Sequence, residues 1–146
     1  MAASAIAGFF TASGIPEVEI QSCFYELKRA VDQKGRPSAV TQGGIIVVEI
    51  VSAQDDAPLA EWMIDSYKES DGKLEFQDDN KQNLKTVEFT KGRCIGYAER
   101  FDKTPQQVTV GRAAMTLTLT ISAETITING AGPHNNNWDD KKGGLS

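Results

Sequence analysis

The chain has 146 residues, enough for one domain with its own core and too few for most two-domain enzymes. Hydrophobic residues make up 40% and charged residues 24%, the composition of a folded chain and not of a disordered one. Twenty acids against 15 bases leave a net charge of −5, so the bulk phosphate attraction of a nucleic-acid binder is missing.

The start, MAASAIAGFFTASG, has no basic region, and Gly8, Thr11 and Ser13 break its apolar run, so no signal peptide is expected. No stretch approaches the roughly eighteen apolar residues of a membrane span. Residues 1–16 read as an N-terminal arm anchored by Phe9 and Phe10, or as a weak first strand. A β-domain is expected over 17–129 and a polar tail over 130–146. From Val18 to Leu27 a strand pattern with imperfect alternation predicts a bulge near Ser22. Residues 30–44 are rich in turn formers (Asp32, Lys34, Gly35, Pro37, Ser38, Gly43, Gly44). The connection exceeds hairpin length, and loops of about 12–15 residues are often functional.

Ile45–Val51 is β-branched and apolar on both faces apart from Glu49, which predicts a strand covered by the core on one side and by a helix or a second copy on the other. A helix is predicted over 56–69. Asp55 or Asp56 can cap it, Pro58 sits in its first turn, and Leu59, Trp62, Met63 and Tyr67 form one packing stripe. Strand alternation then returns at Leu74 and Phe76, at Val87 and Phe89 before Lys91-Gly92, and at Ile95 to Phe101. In the last long run Met115, Leu117, Leu119 and Ile121 share one face, and Thr116, Thr118 and Thr120 the other. Ile126 and Ile128 take the opposite parity, so a bend near Ala123 is expected. Roughly seven strands and one helix predict a mainly β fold: a small closed or partly closed antiparallel β-barrel with one short flanking α-helix.

Residues that carry chemistry are sparse. The carboxylate pairs Asp55-Asp56, Asp78-Asp79 and Asp139-Asp140 fall in caps, turns and the tail, where acids are solvated. A carboxylate mechanism needs two acids facing across a cleft; Glu49 and Glu99 lie within strand patterns where they could face a lumen, and each reads first as a solvated or salt-bridged outer residue. His134 sits in an Asn-rich tail with no readable link to Cys23 or Cys94, and neither a metal set nor a phosphate loop is spelled out. No cofactor, metal or catalytic residue is expected. Lys28, Arg29, Lys34 and Arg36 read as a solvated loop end or as a positive patch for another copy. The threonine row reads as a wetted strand face, a polar channel lining or a seam between subunits.

Asp32, Gly35-Arg36-Pro37-Ser38, Gly43-Gly44 and a β-branched strand are followed by Glu61-Trp62-Met63 and Asp71-Gly72. Then come Leu84-Lys85 before Val87-Glu88-Phe89, Tyr97-Ala98-Glu99-Arg100-Phe101-Asp102, Ile121-Ser122-Ala123 and a late Asn137-Trp138. This order resembles the tube protein of type VI secretion systems, the haemolysin-coregulated protein family, and more closely its Bacteroidota branch. The resemblance covers about Ile20 to Trp138. It implies a non-enzymatic β-barrel subunit that forms a hexameric ring. The rings stack into a tube that carries effectors, alongside sheath and spike proteins. It also implies synthesis in the cytoplasm and export by the same machine, without nucleic-acid or membrane insertion. Asp32, Lys34, Gly35, Arg36, Pro37 and Ser38 would be ring-stacking residues. Ile45, Val47, Glu49, Thr116, Thr118 and Thr120 would lie at the subunit interface or the lumen. The alternatives are a tube subunit of a related extracellular contractile injection system and a monomeric ligand-binding β-barrel.

Overall fold

A computed structural model describes residues 7–52, 57–65, 67–102, 115–130, 132–136 and 138. The capping pair Asp55 and Asp56, and the tail pair Asp139 and Asp140, lie outside them. Eight strands and one helix follow in the order β1 (Ala7–Ala12), β2 (Ile15–Tyr25), β3 (Ile45–Val51), α1 (Ala57–Ile64), β4 (Ser70–Gln77), β5 (Asn83–Phe101), β6 (Met115–Ser122), β7 (Thr125–Ile128) and β8 (His134–Asn135). Every named strand pair is antiparallel.

The hydrogen-bonded order β4-β1-β2-β3-β6-β5 returns to β4, which closes a six-stranded barrel; β7 and β8 extend from β5. Closure depends on two strands that each serve two sheets. Residues 15–19 of β2 pair with β1, and from Ile20 onward β2 pairs with β3, with a register shift between Ile20 and Ser22. Residues 83–92 of β5 pair with β4, and Arg93–Phe101 pair with β6.

β5 is therefore one 19-residue strand where the sequence suggests two. Lys91-Gly92 reads as a turn, but in the structure it is a bend inside the strand. Lys91 takes a left-handed φ of 51°, and Gly92 tucks beneath Phe89, where a Cβ would stand 2.7 Å from the ring. The bend redirects the chain to a new partner without breaking the ladder.

The interior is filled by side chains. Phe10, Ile46, Val48, Ile50, Leu74, Val87, Leu117, Leu119 and Ile121 are fully buried. Phe10 stacks on Phe89 at 6.4 Å, and Phe89 on Trp62 of α1 at 6.5 Å, so one aromatic column runs from β1 to the helix. The Trp62 indole N–H donates to Gly92 O at 3.0 Å, which ties α1 to the bend of β5.

α1 is shorter than the expected 56–69. Asp65 N donates to Glu61 O, and the Asp65 carboxylate then accepts from Tyr67 N at 3.0 Å, a local side-chain bond that competes with further helix. The packing stripe is consequently Leu59 and Trp62, both buried. Met63 is 37% exposed, and Tyr67, beyond the helix, is 80% exposed.

Candidate functional site

The long connection spans Glu26–Gly44 and is internally built. Lys28 and Gln42 exchange backbone hydrogen bonds of 2.9 and 2.7 Å, and Val31 bridges to Pro37, so the segment is a narrow two-armed projection and not a slack loop. At its tip Asp32 Oδ1 accepts from the backbone N–H groups of Lys34 and Arg36, each at 2.9 Å, and Oδ2 accepts from Arg36 Nε at 2.8 Å. The Arg36 N–H is the main reason the carboxyl lies below its ordinary value, helped by the Lys34 N–H and the Arg36 guanidinium. Gly35, at φ 82°, supplies the left-handed residue that this tight turn needs.

Lys34, Gly35, Arg36, Pro37 and Ser38 are exposed at this tip. Two of the four bases are paired with acids, Arg36 with Asp32 and Lys28 with Glu26 at 3.7 Å, while Arg29 donates to the neutral Thr41 Oγ1 at 2.6 Å and keeps its charge. Val31 and Val40, at 59% and 80% exposure, add apolar surface to the two arms.

The second feature is the outer face of the sheet β2-β3-β6-β5. Register fixes its rows. One row is Ser22, Glu49, Thr118 and Ala98; the next is Phe24, Val47, Thr120 and Gly96. Ile45, beside Ser122, is exposed. Val47, Glu49, Thr118 and Thr120 are half-buried, and Thr116 is buried at 3% exposure. β3 therefore has a packed inner face, and α1 does not cover its outer face, because the helix packs on β5.

Among the described residues no strand pairs with the outer edge of β2 from Gln21 to Tyr25, or with that of β5 from Arg93 to Phe101. These edges carry exposed Phe24, Ile95 and Phe101.

The candidate acids do not converge. Glu49 accepts from Ser22 Oγ at 3.2 Å, and Tyr97 donates to Glu99 at 2.6 Å. Register sets Glu49 against Thr118 and Glu99 against Leu117, on opposite parities of β6, so the two carboxylates do not face one another. Burial raises both free thiols, Cys23 to about 11. No group of three His, Cys, Asp or Glu side chains among the described residues is placed to hold a metal. No described helix is long and apolar enough to cross a membrane.

A filled six-stranded barrel carrying a braced projection and an open-edged sheet defines a mainly β protein, a closed antiparallel barrel with one short flanking helix. The chain belongs to the haemolysin-coregulated protein (Hcp, TssD) family, whose model matches residues 4–139. Hcp1 from Flavobacterium johnsoniae is 31% identical and superposes with a TM-score of 0.78 over 90% of this chain and 100% of that one. Hcp1 from Salmonella typhimurium is 15% identical, with a TM-score of 0.67 over 90% of this chain and 92% of that one. The sheath-tube complex of an extracellular contractile injection system contains a chain that is 12% identical, with a TM-score of 0.55 over 87% of this chain and 90% of that one. No curated protein sequence matches. Members of the family are structural subunits, and this chain is not an enzyme.

Proposed function

We propose that the chain is the ring-forming subunit of the inner tube of a type VI secretion system, with six copies to a ring and rings stacking into a tube that carries effectors. The observation that carries this reading is the pair of open edges on one sheet. β2 and β5 flank β3 and β6 in an all-antiparallel order, so the β5 edge of one copy meets the β2 edge of the next in antiparallel sense, and the sheet can continue from subunit to subunit. The other segment of β2 is guarded: Pro16 offers no N–H, and Glu17 and Glu19 are exposed charges. Apolar Phe24 and Ile95 are exposed on the two edges left open.

In this arrangement the row of Ser22, Glu49 and Thr118 and the next row with Val47 and Thr120 line the lumen, and the projection with Asp32, Lys34, Gly35, Arg36, Pro37 and Ser38 reaches the neighbouring ring. Sheath, spike and effector proteins of the same system are the partners, and the subunit is made in the cytoplasm and exported through the machine it builds. The 31% identity with the Flavobacterium johnsoniae protein supports the Bacteroidota branch of the family.

Native mass spectrometry with negative-stain imaging tests the ring. The unaltered chain should give closed rings, and Phe24→Lys or Ile95→Lys should give folded monomers, because a charge on an edge opposes strand addition. Rings that persist in both variants would exclude this seam. The likeness to a subunit of an extracellular contractile injection system supports a second reading, a tube subunit of that related machine. Export that depends on type VI sheath genes separates the two.

A further inference from the structure

The root of the projection is held by the C-terminal segment. Asn136 Nδ2 donates to Gly43 O at 3.1 Å and to Ala123 O at 3.2 Å, so one side-chain amide bridges the end of the projection and the β6–β7 corner. With both amide hydrogens spent on carbonyls, Asn136 Oδ1 faces His134 Nε2 at 2.8 Å, and the imidazole must donate. Gly44 fits this contact closely: its φ is +97°, and a Cβ there would stand 2.5 Å from Ala123 O and 2.7 Å from Asn136 Nδ2. Ala123 N also donates to Gly44 O at 2.8 Å.

The segment that carries Asn136 is itself anchored. Glu124, 6% exposed, accepts from Trp138 N at 2.6 Å and pairs with Lys91 Nζ at 3.4 Å, and its backbone carbonyl accepts from Asn136 N at 2.8 Å. Arg93 lies 5.5 Å from the Trp138 ring centre while its guanidinium pairs with Glu69 at 3.2 Å. The projection root and the bend of β5 therefore both close on residues 134–136 and Trp138, and Arg93 links Trp138 onward to Glu69 ahead of β4.

We propose that Asn136, oriented by His134 and anchored through Glu124, is a positioning residue for the projection, and that His134, Asn135, Asn136 and Trp138 act as a clasp that fixes the direction in which the projection leaves the barrel. The hydrogen bonds inside the projection keep its two arms together but do not aim it; the bridge at Gly43 does. The consequence for stacking rests on the tube reading, whereas the clasp is a property of the single subunit.

Hydrogen exchange on the unassembled chain tests it. Asn136→Asp removes both donors at nearly constant shape. It should speed exchange of the Lys28, Gln42 and Ala123 amides by about tenfold or more, and leave Val48 and Leu119 within about twofold. His134→Ala should move the same amides in the same direction. His134→Gln, which restores an N–H donor, should return them toward the unaltered rates, and this pair gives the answer if the Asn136 variant does not fold. Unchanged root amides in Asn136→Asp and His134→Ala would overturn the proposal. So would a parallel loss in the barrel strands, which marks general support only, or a failure of His134→Gln to rescue. The two readings separate in images of assembled material. If removal of Arg36 to Ser38 leaves stacking normal, the stacking reading fails while the exchange result still decides the clasp.

Discussion

Asp32 accepts three hydrogen bonds within a five-residue turn, and this one carboxylate organises the tip of the projection. Its folded pKa lies below the ordinary aspartate value of about 3.9. Its contribution is complete above that value and is lost as pH falls through the lower folded one. Protection of the Gly35 and Arg36 amides, relative to their intrinsic exchange rates, should therefore fall below about pH 4, and Asp32→Ala should produce the same loosening at neutral pH with the barrel amides unchanged. Cys23 works in the opposite direction. Burial raises it to about 11, and Tyr25 is raised as well, first by burial and then by Cys23. The unfolded thiol ionises first as pH rises, so stability is present below about pH 9 and falls between there and about pH 11. Urea midpoints measured from pH 8 to 11 should drop in the native chain and drop less in Cys23→Ala. The Asp32–Gly35 pair was legible as a turn from residue type alone. The clasp was not: Glu124 and Asn136 have no local pattern, and the carbonyls that the Asn136 amide bridges lie 13 and 93 residues away.

Among the elements, α1 and β5 set the limits of reading by periodicity. Leu59 and Trp62 carry the helix stripe, yet a stripe cannot say where a helix stops, and a local bond from the Asp65 carboxylate decides that. Trp62 is 1% exposed, stacked on Phe89 and bonded to Gly92 O. Trp62→Ala should cost about 3–5 kcal/mol in urea unfolding. Trp62→Phe keeps a ring in the column but leaves the Gly92 carbonyl without its donor, and should cost about 1–3 kcal/mol. For β5 the alternation was legible on each side of Lys91-Gly92, because each half buries one face. Its continuity was not, since a lysine in the left-handed region reads as a turn until its neighbours are seen. The alternation of β6 was likewise legible, while the burial of Thr116, unlike that of Thr118 and Thr120, has no signal in residue type.

For the whole molecule, many short alternating runs led to a closed or partly closed barrel, and the structure closes it; the way it closes was not legible, because β2 and β5 each change partners midway. Charge acts at this scale too. Each copy carries −5, so a proposed ring of six gathers roughly 6 × −5, about −30, and assembly opposes this repulsion. Ring formation should strengthen as ionic strength rises from about 0.01 to 0.15 M, where the Debye length shrinks from about 30 to 8 Å; sedimentation velocity across that range checks it. Removal of Arg36 to Ser38 should leave rings intact and stop them stacking, and a tube of normal length would assign the stacking contact elsewhere. The shared strands also impose an order in time. β6, the last of the four strands in the open-edged sheet, inserts between β3 and β5, pairing residues about 70 positions apart on its β3 side, and such distant contacts form slowly. Until Met115–Ser122 has been synthesised and has docked, the two outer edges are not held in one sheet. On the tube reading, a nascent or half-folded copy then offers its neighbour no matched pair of edges, and subunit joining waits for the finished barrel.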